Sequence, residues 1–163
     1  MRLLTPTLAV LLFIGSPALA ADDPPHSFEA KVVKIADGDT ITVLLDKTQH
    51  KIRLEGIEAP EKGQTYGTKA GQALADKISR ETVRVDWKKR DRYGRIIGRV
   101  YLGDRDISLE MVKDGFAWHY KRYSKEAALA DAEKEARKAG RGLWADKDPV
   151  PPWDWRRERK AKG

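Results

Sequence analysis

Residues 28–54 read FEAKVVKIADGDTITVLLDKTQHKIRL, and they decide the fold. Phe28 to Ala36 and Thr40 to Leu45 are rich in Val, Ile and Thr, with Asp37-Gly38-Asp39 between them. That pattern predicts a strand, a tight turn and a second strand, with Gly38 expected to supply the positive φ of a hairpin. Asp46 to Gln49 is a second polar turn, and His50 to Leu54 alternates polar and apolar, as a third antiparallel strand would.

Downstream, Glu55 to Gly67 reads as a loop punctuated by Gly56, Pro60 and Gly63. Thr68 to Arg80 is helical: Ala70, Ala73, Leu74 and Ile78 share one face at i, i+3, i+4, i+8 spacing. Thr82 to Trp87 and Ile96 to Leu102 are the fourth and fifth strands, separated by a charged turn around Gly94. A short helix spans Leu109 to Lys113 and closes at Gly115. A last helix runs from about Lys125 to Ala139, with Ser124 as N-cap and Gly140 just past its end. Five antiparallel strands with a helix between the third and fourth describe an OB-fold, a five-stranded Greek-key β-barrel with added helices, of α+β class.

The flanks read differently. Arg2, the apolar run Leu8 to Ile14 and Ala18-Leu19-Ala20 form a secretory signal peptide, residues 1–20, so the protein is expected to be exported to the periplasm or the medium. The apolar run is short of the ~20 residues that span a bilayer. Residues 21–27 are a polar, Pro-rich leader expected to be mobile. Residues 148–163 are Pro- and Trp-bearing and then basic, a tail expected to be disordered at its end and to add non-specific attraction for phosphate. The length, 163 residues, fits one domain between them, 28–147. With no cysteine there is neither a disulfide framework nor a thiolate metal site. The net charge of +7 favours anionic partners, whether nucleic acid, acidic polysaccharide or lipid head groups. No protein partner is implied, and a monomer is the default.

Hydrolysis of a phosphodiester needs neutralised phosphoryl oxygens, an oriented water and fixed geometry. A hard divalent cation on oxygen ligands serves the first need, and so does the planar fork of arginine. Suitable groups gather at element ends: Asp37 and Asp39 at the hairpin, Arg53 at the end of the third strand, Glu55, Glu58 and Glu61 in the loop, and Arg90, Arg92 and Arg95 beside Tyr93. Taken singly, each is as consistent with an ordinary turn or a solvated acidic surface. His26, His50 and His119 have no metal-ligand spacing.

Together the motifs Val33-Lys34-Ile35-Ala36-Asp37-Gly38-Asp39-Thr40, Ile52-Arg53-Leu54-Glu55-Gly56-Ile57-Glu58-Ala59-Pro60-Glu61 and Asp91-Arg92-Tyr93-Gly94-Arg95 resemble, in order and spacing, the staphylococcal nuclease (thermonuclease) family. Gly142-Leu143-Trp144 and Pro151-Pro152-Trp153 look like segments of its exported bacterial members. The resemblance covers roughly Phe28 to Trp155. It implies a calcium-dependent nuclease acting on DNA and RNA by attack of water, with loss of the 5′-oxygen and 3′-phosphate ends. It further implies Asp39, Glu58 and the Ala59 carbonyl as Ca2+ ligands, Glu61 as the group that orients or deprotonates water, and Arg53 and Arg95 as the grip on the scissile phosphate. Tyr93 and either Tyr120 or Tyr123 would lie at the nucleotide. The family usually has aspartate where this chain has Glu58, a difference that bears on metal affinity. A non-catalytic OB-fold module that binds nucleic acid is the alternative, although Arg53, Glu61 and Arg95 are all retained.

Overall fold

The computed structural model describes residues 23–162, so the expected signal peptide lies outside the described residues. Five strands carry the fold: β1 (Ser27–Ile35), β2 (Thr40–Leu45), β3 (Thr48–Leu54), β5 (Thr82–Arg90) and β6 (Ile96–Leu102). Two-residue strands β4 (Ile57–Glu58), β7 (Arg105–Asp106) and β8 (Trp118–His119) are added at the periphery. The helices are α1 (Gly67–Ile78), α2 (Ile107–Lys113), α3 (Ala127–Lys138) and α4 (Pro152–Lys162).

The sheet runs β3-β2-β1-β5-β6, and a further pairing of β3 with β6 closes it into a barrel. The closing pair is parallel, with Ile52 opposite Ile96, Arg53 opposite Ile97 and Leu54 opposite Gly98. The expectation of wholly antiparallel strands is corrected at this one seam. Closure leaves the five long strands no free edge for another chain to pair with.

Alternation along the strands sorts side chains to two faces. On β1, Phe28, Ala30 and Val32 are buried while Glu29, Lys31 and Val33 are exposed. Ile41, Val43, Ile52, Val83, Val85, Ile96 and Val100 fill the interior. Each such side chain contributes ~1.5–3 kcal/mol on burial. Helix α1 lays Gly67, Ala70, Leu74 and Ile78 on this core, the face read from its periodicity.

Several local expectations are revised. Gly38 does not have a positive φ; its lack of a Cβ serves a close approach instead. Ser124 does not cap α3: Glu126 is the N-cap residue, and the Ser124 hydroxyl accepts from the Glu126 N–H at 3.3 Å. Helix α2 starts earlier than expected because the Asp106 carboxylate accepts from Leu109 N–H at 3.1 Å.

The flanks are part of the folded body. Trp87 Nε1 donates to Pro25 O at 2.7 Å, Trp87 N to His26 O at 2.9 Å, and Arg90 pairs with Asp23 at 2.7 Å. The stretch read as a mobile leader is therefore tied along β5 from Asp23 onward. The segment set apart as a tail, 148–163, contains α4, whose Trp153 packs on a second core of Trp118, Ala136, Leu143 and Trp144. No described helix is long and apolar enough to cross a membrane.

Candidate active site

The site begins at the β1–β2 turn. The Asp37 carboxylate accepts from the Asp39 N–H at 3.0 Å, which tightens the turn. Its burial, with Asp39 alongside, pushes its carboxyl up to about 6. A Cβ on Gly38 would stand 2.7 Å from both Ala59 Cβ and Ala70 Cβ. The turn is thus pressed onto the 55–61 loop and α1, and that contact carries Asp39 to the loop. Asp39 Oδ2 accepts from the Ala59 N–H at 2.7 Å, and Oδ1 accepts from the Thr40 hydroxyl at 3.1 Å. Arg53, opposite Thr40 in the β2–β3 register, pairs with Asp39 at 3.2 Å and donates to Leu54 O at 3.0 Å.

The loop is less irregular than its Gly and Pro content suggests. Within it, β4 pairs with β8, setting Glu58 opposite Trp118. This pairing buries Glu58, which is 4% exposed. Burial raises its carboxyl above the ordinary value, opposed by a hydrogen bond and charge from Arg156 and by charge from Arg53. Arg156 Nη2 lies 2.5 Å from Glu58 Oε1, while Glu58 Oε2 is buried with no hydrogen-bond partner. Three residues further, Glu61 sits on a turn held by Gln64 N–H to Glu61 O at 2.9 Å and by Glu61 N–H to Gln64 Oε1 at 2.9 Å. Its carboxylate also pairs with Arg156.

Arg95 approaches from the β5–β6 turn. Asp91 organises this turn, accepting from the N–H groups of Tyr93 and Arg95 and from Arg95 Nε at 2.7 Å. Burial alone would raise the Asp91 carboxyl, but these hydrogen bonds hold it below its ordinary value. Arg53 is opposite Ile97 across the barrel seam. Ile97 is two residues beyond Arg95, so the turn that carries Arg95 adjoins the seam at Arg53.

The three tyrosines differ. Tyr93 is 68% exposed at the turn, with Arg92 over its ring at 4.8 Å. Tyr120 donates its backbone N–H to Gly56 O at 2.9 Å and stacks on Trp153 at 5.6 Å. Its hydroxyl is pushed above its ordinary value, first by burial and next by the Glu58 charge. Tyr123 packs edge-on against Tyr120 but is 66% exposed. Tyr120 therefore lies on the Glu58 side and Tyr123 outside it.

Asp39, Glu58 and Ala59 are brought together, with Arg53 on one carboxylate and Arg156 on the other. Among the described residues no cluster of three or more His, Cys, Asp or Glu side chains is placed to hold a metal. The two carboxylates and the Ala59 carbonyl nevertheless fit a hard cation: all donors are oxygens, and one buried Glu58 oxygen has no partner. Arg156 is the residue that sequence reasoning missed. Pro152 at a helix start, with Asp154 in the first turn, was the signal available for the helix that presents it.

The family model described as Staphylococcal nuclease homologue matches residues 51–146. A protein of Escherichia coli named Uncharacterized endonuclease is 42% identical over 154 residues, spanning 93% of this chain and 97% of its own. The Micrococcal nuclease of Shigella flexneri is 42% identical, over 93% of this chain and 90% of its own. An Uncharacterized endonuclease of Haemophilus influenzae is 45% identical over 131 residues, covering 80% and 74%.

Proposed function

The chain belongs to the staphylococcal nuclease homologue family and is a hydrolytic nuclease, and from that premise we propose that it cleaves DNA and RNA with calcium held by Asp39, Glu58 and the Ala59 carbonyl. The observation that carries this reading is the pairing of buried Asp39 with the Ala59 N–H beside Glu58, whose Oε2 has no partner. Support for calcium over zinc is the all-oxygen donor set in a chain without cysteine. The longer Glu58 side chain suits calcium, which tolerates varied ligand distances, better than magnesium.

Held by Asp39, Glu58 and the Ala59 carbonyl, calcium would supply positive charge to neutralise the phosphoryl oxygens. Arg53 and Arg95 offer planar forks to the same oxygens and stay protonated throughout. Glu61 orients a water and takes its proton as the water oxygen bonds to phosphorus. The bond from phosphorus to the 5′-oxygen breaks, that oxygen takes a proton from solvent to leave as a hydroxyl, and the phosphate stays on the 3′ side. Tyr93 and either Tyr120 or Tyr123 would meet the nucleotide, and of these Tyr93 and Tyr123 have exposed rings on which unpaired bases can stack, an interaction tolerant of sequence. Export follows from residues 1–20, with cleavage after Ala20.

The test is plasmid nicking by the mature chain in calcium and in excess EGTA. Nicking should require calcium and stop in the chelator. Undiminished nicking in metal-free EGTA buffer would remove calcium from the mechanism, and absence of nicking under both conditions would favour a binding module. N-terminal sequencing of exported protein beginning at Ala21 would support the signal reading.

A further inference from the structure

Residues 149–156 read PVPPWDWR. Pro152 opens α4, where its missing N–H costs nothing, and Asp154 in the first turn complements the helix dipole. The helix start is anchored at several points. Gln64 Nε2 donates to Val150 O at 2.7 Å, the Trp153 ring stacks on Tyr120 at an interplanar angle of 12°, and it meets Trp118 edge-on at 5.6 Å. The residues that anchor it are those that hold Glu58: Trp118 is its strand partner, and Tyr120 is tied to Gly56. Arg156 follows Trp153 by three residues, so helix geometry sets it on the same face. It reaches two carboxylates, one with each Nη: Glu58 at 2.5 Å, and Glu61.

A guanidinium between a buried carboxylate and the water-orienting glutamate is a cation in the region where divalent charge is expected. We propose that Arg156 is a third arginine of the catalytic site, a positioning residue that holds Glu58 and Glu61 before metal arrives and yields Glu58 when it binds. The inference rests on the calcium reading above. Without such a partner, the metal-free protein would carry a buried, unpaired carboxylate, a costly arrangement. Any group that binds Glu58 only in the metal-free state lowers the apparent metal affinity by its own share of free energy. Arg156 thereby sets the calcium concentration at which the site fills, and α4 reports that filling through Trp153 and Trp155.

The experiment is a calcium titration without substrate, by calorimetry and by tryptophan fluorescence, on the full mature chain, Arg156→Gln and Arg156→Lys. Circular dichroism establishes that all three fold. Arg156→Gln should bind calcium roughly tenfold more tightly, the scale of one charge-assisted hydrogen bond, with Arg156→Lys between. In EGTA, Arg156→Gln should melt below wild type, and saturating calcium should remove the difference. Equal or weaker calcium affinity in Arg156→Gln overturns the exchange while leaving the calcium reading intact. If none of the three proteins binds calcium, the calcium reading fails and takes the exchange with it.

Discussion

A methyl group at position 38 would stand 2.7 Å from both Ala59 Cβ and Ala70 Cβ. Neither neighbour can yield by rotating a side chain, because each is an alanine on a packed segment. Gly38→Ala must instead lift the β1–β2 turn off the loop. The Asp39 to Ala59 hydrogen bond is on that path, so the lift separates Asp39 from Glu58. The expected outcome is a loss of ~1–3 kcal/mol in stability, the scale of an overpacked core site. The activity loss should be larger than the population of folded protein explains. Chemical denaturation and nicking at saturating calcium on the same samples measure both. A variant with wild-type turnover would show that this close approach does not position the site.

At the scale of elements, two short segments do what the long strands cannot. The two-residue pairing of β4 with β8 buries Glu58, and Arg156 near the start of α4 completes the surroundings of that carboxylate. Trp153 couples the two, being stacked on Tyr120 and edge-on to Trp118. Trp153→Ala should cost ~2 kcal/mol, less than a fully buried tryptophan because the ring is only partly covered. It should also free Arg156 from Glu58, so that calcium binds more tightly even though residue 156 is unchanged. Calcium titration of Trp153→Ala alongside Arg156→Gln checks this; a wild-type midpoint in Trp153→Ala would mean that α4 is held by its other contacts.

Across the whole molecule, the excess of basic residues attracts any phosphate backbone, and closure of the barrel determines where that attraction is put to use. Binding of a short single strand should weaken steeply with salt, because neutralising phosphates releases counterions. Removing 157–163 should reduce the salt slope slightly and leave cleavage intact. Removing Arg156 as well should change the calcium requirement, so the functional boundary falls between Arg156 and Arg157. The measurements are log affinity against log salt and the calcium midpoint for both truncations. Identical calcium midpoints would place Arg156 with the solvated tail.

Much of this protein was legible in the sequence because the deciding forces act over short ranges. Alternation by two places Val43 and Ile52 inside, turn residues end the strands, and spacing of three and four gives α1 its buried face. The resemblance of three motifs identified the family and named Asp39, Glu58, Glu61, Arg53 and Arg95. The role of Gly38 lay outside local pattern, since crowding by Ala59 and Ala70 arises only once the turn, loop and α1 are packed. The parallel β3–β6 seam is likewise a product of closure. Arg156 is the clearest case: it is far along the chain from Glu58 and Glu61, in a stretch whose composition reads as a solvated basic tail. Its partners come from packing of Trp153 on Tyr120 and Trp118. Local periodicity determined the elements and the resemblance named the carboxylates, but only tertiary packing brought a cation to buried Glu58, because its desolvated charge needs a partner that the neighbouring sequence does not supply.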